Sequence, residues 1–348
     1  MNDDQKYMLH ALDLAKLAWG DTHPNPMVGA VVVNNGKIVG EGYHHKAGEA
    51  HAEVNALHAA GSKSEGATIY VTLEPCSTYG RTPPCTEAII KHNISRVVIG
   101  ALDPNPKHAG RGIDILRNHN IEVEVLNGLK QVRELNRPFF KLIQSGRPWV
   151  FLKMAMTLDG KIAAWNGDSK WITGEIARSR VQYWRRRCSA IMVGGNTLRQ
   201  DHPRLTIHDC SDEMRQPLKV IASHHLSESD LTEYFSTGRQ PLLCRVDTRE
   251  EWDDLLLNLG TMGVDFLMLE GGGELAASAL FNRVVDEVEF HIAPKILGGR
   301  NSIPVVGGAN PDSLSEALQL EEIETLKLGN DLAFHALVKK NISSGTTT

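Results

Sequence analysis

Two thiols, one imidazole and one carboxylate fall close together in the first third of the chain, in a spacing that can do hydrolytic metal chemistry. They are His51 and Glu53 in His51-Ala52-Glu53, Cys76 after Pro75, and Cys85 after Pro84. A hydrolytic zinc centre needs three protein ligands, an open position for water, and a carboxylate beside that water that does not ligate the metal. His51, Cys76 and Cys85 meet the first need. Glu53 meets the last: two residues from His51, it can carry protons from water to a substrate nitrogen and to leaving ammonia. Pro84 suits the first turn of a helix, which places Cys85 near a helix N-terminus, where the dipole favours thiolate. The blander alternatives are a closed structural zinc with His44 or His45 as fourth ligand, or two buried cysteines and a surface histidine. A purely structural zinc has no use for Glu53.

His-x-Glu followed by Pro-Cys and a second Cys is the signature of zinc deaminases, whose usual two-residue cysteine gap is eight residues here. The gap itself, Leu73-Glu74-Pro75-Cys76-Ser77-Thr78-Tyr79-Gly80-Arg81-Thr82-Pro83-Pro84-Cys85, resembles the bifunctional riboflavin-biosynthesis deaminase–reductase family. The neighbouring strings His23-Pro24-Asn25-Pro26-Met27-Val28-Gly29, Gly48-Glu49-Ala50-His51-Ala52-Glu53 and Asp103-Pro104-Asn105-Pro106 with Gly110-Arg111-Gly112 agree. The resemblance implies a cytidine-deaminase-like three-layer α/β domain over residues 1–146. It also implies that Asn25 and His44 contact a pyrimidine and that Arg81 holds a phosphoribosyl arm. An asparagine offers donor and acceptor to a pyrimidine edge, and arginine grips phosphate bidentately. By themselves, Asn25 between two prolines reads as a turn residue and Arg81 as a loop charge. Thr78 stands where members commonly carry His.

In the second half, Glu270-Gly271-Gly272-Gly273-Glu274-Leu275-Ala276-Ala277 follows an apolar strand and opens a helix, so bare backbone amides can cradle phosphate there. The glycine run is weak evidence alone, and it is not the Gly-x-Gly-x-x-Gly of a first dinucleotide-binding strand. The resemblance continues through Lys153-Met154-Ala155-Met156-Thr157-Leu158-Asp159-Gly160-Lys161, Asp168-Ser169-Lys170-Trp171-Ile172-Thr173 and Asp201-His202-Pro203-Arg204-Leu205-Thr206. It implies a dihydrofolate-reductase-like α/β domain over 147–348. NADPH would lie at Ala155, Trp171, Thr197, Asp201 and the turn Gly272, Gly273, Glu274, Leu275, Ala276, Ala277 and Ser278. Substrate would lie at Ser169, Arg185, Leu205, His208 and Glu270, with Lys153 and Asp201 acting near the ribose carbon that receives hydride. Read by themselves, Trp171 is a core aromatic and Arg185, in Arg185-Arg186-Arg187, a solvated helix face. His208 replaces a usual Arg, for which Arg204 is a substitute cation, and Ser223-His224 replaces the aspartate and serine usual after the preceding strand.

The elements that must position these residues read as alternating helices and strands. Apolar spacing predicts a helix over 6–19, a hairpin of 27–33 and 37–42 around Asn34-Asn35-Gly36, helices at 52–60, 86–92 and 113–118, and strands at 67–73, 96–101 and 121–125. A helical, basic stretch at 129–148 ends at Ser145-Gly146-Arg147-Pro148, which sets a boundary near 146. Strands then follow at 149–156, 190–193, 219–222, 266–269 and 287–293, with helices at 176–187, 250–259 and 274–281. Both halves are α/β. The Ser/Thr-rich tail 341–348 reads as disordered.

A chain of 348 residues suits two domains, and 41% hydrophobic against 23% charged residues is ordinary globular usage. The net charge of −5 gives no global field for nucleic acid, which argues against a nucleic-acid base deaminase. A non-catalytic zinc-stabilised nucleotide-binding regulator is the other alternative, and Glu53 speaks against it. Five cysteines without a basic leader argue against a disulfide framework, and no apolar run approaches the roughly 18 residues of a membrane span. The expected protein is cytoplasmic, homo-oligomeric, bound to zinc and NADPH, and acts on small phosphoribosyl-pyrimidines.

Overall fold

The computed structural model describes residues 2–80, 83–106, 108–126, 128–212, 215–236 and 238–340. Arg81 and the tail at 341–348 lie outside them. The chain divides into two compact units, Met1–Gly146 and Arg147–Thr348.

The first unit runs α1 (Asp3–Lys16), β1 (Gly29–Asn34), β2 (Lys37–Tyr43), α2 (Ala52–Ala60), β3 (Thr68–Val71), α3 (Cys85–Lys91), β4 (Arg96–Ile99), α4 (Arg111–Asn118), β5 (Glu122–Val125), α5 (Lys130–Leu135) and α6 (Arg137–Ser145). The sheet order is β2-β1-β3-β4-β5, with β1 antiparallel to both neighbours and the last three strands parallel. Two glycines show how the layers meet. A Cβ on Gly29 would lie 1.9 Å from the Ala11 carbonyl oxygen of α1, and one on Gly42 would lie 2.4 Å from the Ala56 amide of α2. Side chains alternate along a strand, and Gly42 pairs with Ala30, the neighbour of Gly29. Thus α1 covers one sheet face and α2 the other. Helix α1 starts earlier than its apolar spacing suggests because Asn2 and Gln5 form a capping box. The basic stretch divides into α5 and α6 at Asn136, whose buried amide bonds both the N–H and the C=O of Met27, and Pro138 opens the second helix.

The second unit runs β6 (Trp149–Thr157), β7 (Lys161–Ala163), α7 (Glu175–Arg187), β8 (Ala190–Gly194), α8 (Gly195–Asp201), β9 (Leu218–Ala222), α9 (Glu228–Tyr234), β10 (Leu242–Cys244), α10 (Arg249–Thr261), β11 (Phe266–Glu270), α11 (Gly273–Phe281), β12 (Glu287–Ala293), β13 (Ile303–Pro304), β14 (Leu320–Leu328) and β15 (Asp331–Val338). Its main sheet is β10-β9-β8-β11-β6-β12-β15-β14. All pairs through β12 are parallel, and β15 and β14 add antiparallel. Central strands β6, β8 and β11 are almost wholly buried, as parallel strands covered on both faces must be. Apolar patterning misses β14: it is exposed along most of its length, and its register slips between Glu321 and Glu324, which breaks the two-residue alternation.

Candidate active sites

In the first unit two helix N-termini converge. His51 is the N-cap of α2 and Glu53 lies in its first turn, while Cys85 opens α3 behind Pro84. Cys76 comes from the segment after β3. His51 Nδ1 lies 3.2 Å from Cys85 Sγ and 3.5 Å from Cys76 Sγ, and all three ligand atoms lie within 4.8 Å of one another. Zn–S of about 2.3 Å and Zn–N of about 2.0–2.1 Å give tetrahedral N···S edges of about 3.6 Å, so the donor set fits a zinc ion. Among the described residues these three form the cluster able to hold a metal. The Cys85 N–H donates to Cys76 Sγ at 3.3 Å, so the positive end of α3 faces that sulfur. The Cys85 thiol, opposed by burial and helped by His51, pulls Cys76 well below the ordinary thiol range. Glu53 is 3% exposed, and burial, with the Cys76 charge, raises its carboxyl to about 7.

Asn25 and His44 are joined. Asn25 Nδ2 lies 3.1 Å from His44 Nε2, and His44 Nδ1 lies 3.1 Å from the Ala50 carbonyl. The carbonyl can only accept, so Nδ1 carries the proton and Nε2 accepts from Asn25, which leaves the Asn25 oxygen to present to a ligand. Burial lowers the His44 pKa, in keeping with a neutral ring. His44 also meets His51 edge-on at 5.3 Å between ring centroids.

One residue escaped the sequence reading. Glu74, buried beside the cysteine loop, accepts from the amides of Asp103 (3.2 Å), Gly110 (3.1 Å) and Gly112 (3.1 Å). It ties Asp103, Gly110 and Gly112 to the segment that leads into Pro75-Cys76. Its place within Leu73-Glu74-Pro75-Cys76 is a signal, but three backbone partners about 30 to 40 residues ahead are invisible to spacing.

In the second unit a cavity of about 1200 Å³ is bounded by β6, α7, α8 and the β11–α11 turn. It gathers Lys153, Ala155, Ser169, Trp171, Arg185, Thr197, Asp201, Leu205, His208, Glu270, Gly272, Gly273, Glu274, Leu275 and Ser278. Ala276 and Ala277 are not in its wall. Both are buried, Ala276 within the apolar core, and the Ala276 amide is taken by the Gly272 carbonyl at 3.0 Å in the helix's own ladder. Two residue-level readings also fail. Trp171 is 66% exposed at the cavity with the Arg178 guanidinium 4.8 Å from its ring centroid, so it is no core aromatic. Arg185 is no solvated face: it grips Glu270 with Nε and Nη2 at 2.9 to 3.1 Å and reaches the Thr206 carbonyl with Nη1. Asp201 lies 3.5 Å from Lys170 Nζ.

The turn suits a diphosphate. Gly271 and Gly272 take φ of +84° and +91°, and a Cβ on Gly273 would lie 2.6 Å from the Pro304 carbonyl. The first amides of α11 have no partner inside the helix and point outward. The Glu274 carboxylate turns away to the Gly308 amide.

Residues 148–334 match the model of the RibD C-terminal domain, and residues 1–101 that of the cytidine and deoxycytidylate deaminase zinc-binding region. The riboflavin biosynthesis protein RibD of Aquifex aeolicus is 43% identical over 94% of this chain and 97% of its own. The chain belongs to the RibD family. Its counterpart from Actinobacillus pleuropneumoniae is 42% identical over 96% of this chain and 95% of its own. Among solved structures, Acinetobacter baumannii RibD superposes with a TM-score of 0.87 at 35% identity, covering 97% of this chain and 99% of that one. The Thermotoga maritima diaminohydroxyphosphoribosylaminopyrimidine deaminase/5-amino-6-(5-phosphoribosylamino)uracil reductase gives 0.83 at 34%, again over 97% and 99%. This member of the family is a bifunctional riboflavin-biosynthesis enzyme, with a cytidine-deaminase-like zinc unit followed by a dihydrofolate-reductase-like reductase unit.

Proposed function

We propose that the first unit deaminates 2,5-diamino-6-(5-phosphoribosylamino)pyrimidin-4-one and that the second reduces the ribosyl chain of the resulting 5-amino-6-(5-phosphoribosylamino)uracil to ribityl, with NADPH. The observation that carries this reading is Glu53 buried beside the His51–Cys76–Cys85 triangle in one unit, with the glycine turn and Lys153 on one cavity in the other. His51, Cys76 and Cys85 would hold zinc, which would supply water acidified toward neutral pH. Glu53 takes a proton from that water and passes it to the pyrimidine nitrogen, then carries a second proton, from the newly added hydroxyl, to the departing amino group, which leaves as ammonia. Asn25 and His44 read the pyrimidine edge, and Arg81 is proposed for the phosphate arm.

The α11 turn, Thr197 and Trp171 would hold NADPH, which would supply hydride for the ribose carbon. As the ring C–O bond opens, the oxygen needs a proton, for which Lys153, in the cavity wall, is the proposed donor, with Asp201 proposed to act near the same carbon. Ser169, Arg185, Leu205, His208 and Glu270 hold the substrate. The same reading makes the enzyme cytoplasmic and homo-oligomeric. No described helix is long and apolar enough to cross a membrane.

The test separates the sites. Glu53→Gln should release no ammonia from the diaminopyrimidine yet oxidise NADPH when given the aminouracil. Lys153→Met should do the reverse. Loss of both activities in either folded variant overturns the two-site reading.

A further inference from the structure

Strand register puts Lys153 between two carboxylates. On β11 its partner is Glu270, and on β12 its partner is Glu289. Parallel neighbours run about 4.8 Å apart with paired side chains on one face, so both carboxylates share the face on which Lys153 meets the cavity. The two differ in what they do. Glu270 reaches the cavity and holds Arg185 of α7. Glu289 has no exposed surface and is gripped from three elements. Arg180 of α7 donates from Nη2 at 3.0 Å, His335 of β15 lies at 3.2 Å, and His291 of β12 lies at 2.7 Å. The other ring nitrogen of His335 meets Glu287 at 2.8 Å, so His335 sits between two carboxylates. The Glu289 carboxylate can only accept, so the His291 Nε2–H donates to it, and burial lowers the His291 pKa, in keeping with a neutral ring.

An apolar packing could stabilise the sheet as well as this cluster does. A buried ion pair rarely outperforms apolar residues of the same volume. Each cation but one has its own carboxylate: Arg185 takes Glu270, Arg180 takes Glu289, and His335 takes Glu287. Lys153, 6% exposed, is the cation left to share.

We infer that Glu289 is a positioning residue of the reductase, holding the ammonium of Lys153 charged and in place from the neighbouring strand. Burial pulls Lys153 below the ordinary lysine range, Glu270 and Glu289 pull it back, and Arg185 opposes them. This rests on Lys153 being the proton donor of the reduction.

The test is kcat/KM for NADPH oxidation with the aminouracil phosphate, from pH 6 to 10.5, in the full-length enzyme. Activity should fall on the alkaline side as Lys153 loses its proton. Glu289→Gln should move that limb down by about one pH unit, the effect of one charge removed at close range. Glu289→Asp should restore it. Arg180→Met, which unmasks the Glu289 charge, should move the limb up, and it decides the matter if Glu289→Gln does not fold. Ammonia release should be unchanged throughout. Limbs that superimpose on the parent's in Glu289→Gln or in Arg180→Met overturn the inference. Lys153→Met separates the two failures: if inactive, only the role of Glu289 has fallen, and if active, the proton-donor reading falls with it.

Discussion

Replacing Glu74 by alanine should unhinge the deaminase unit without touching a metal ligand. The carboxylate is 6% exposed and takes three backbone amides from a segment that begins about thirty residues further on. Gly112 leaves no slack there, since a Cβ would lie 2.4 Å from the Pro75 carbonyl, one residue from Cys76. A hydrogen bond to a charged acceptor is worth about 1.5–3 kcal/mol. The amides of Asp103 and Gly110 are half-buried and can return to water, which keeps them at the low end, whereas that of Gly112 is buried. The sum is roughly 5 kcal/mol, a large part of the 5–15 kcal/mol typical of a domain. At about 2–4 °C per kcal/mol for this size, the transition of the first unit should drop by about 10–20 °C while the second unit melts as before. Calorimetry reads the drop, and hydrogen exchange of the Gly110 and Gly112 amides places it. A fall under about 3 °C with the Gly112 amide still protected would refute the reasoning.

Three further outcomes are expected. Cys85→Ser should lose zinc on dialysis, measured by metal analysis, and full retention would remove Cys85 from the ligand set. Gly273→Ala drives a Cβ against the Pro304 carbonyl at the cofactor turn, so NADPH affinity by fluorescence titration should weaken at least about tenfold with ammonia release intact. An unchanged Kd would separate that turn from the cofactor. His335 is lowered by burial but raised more by Glu287 and Glu289, to about 9 from 6.5. Its folded value exceeds its unfolded value, so its stabilisation is complete below about pH 6.5 and is lost as pH rises through 9, up to about 3 kcal/mol at 1.4 per pH unit. Urea unfolding of the second unit should weaken over that window, and His335→Gln should flatten the slope; an equal slope in the variant would contradict the pairing.

The zinc triangle was legible because each of its parts sits in a short local motif, and a histidine, two thiols and an acid have few other uses in that pattern. Helix positions were legible where one face is buried, as in α7 and α10. Where burial is absent or the register slips, as in β14, apolar periodicity carries no signal. Ala276 and Ala277 show the converse limit. A glycine-rich string marks the phosphate turn, but only the helix beginning at Gly273 decides that two of the residues after it turn to the core and spend their amides on the helix.

Composition, motif spacing and family resemblance thus determine the chemistry of this protein: three zinc ligands with an acid beside them, a glycine-rich turn suited to phosphate, two α/β units. The tertiary structure alone decided which charges face each other. Arg185 and Glu270 are 85 residues apart, Arg180 and Glu289 are 109 apart, and each pair meets because α7 packs against the sheet at β11 and reaches across to β12. Local sequence encodes a residue's chemistry and its face on a strand or helix. Which distant residue stands opposite is set by strand order and register, and these belong to the folded sheet as a whole.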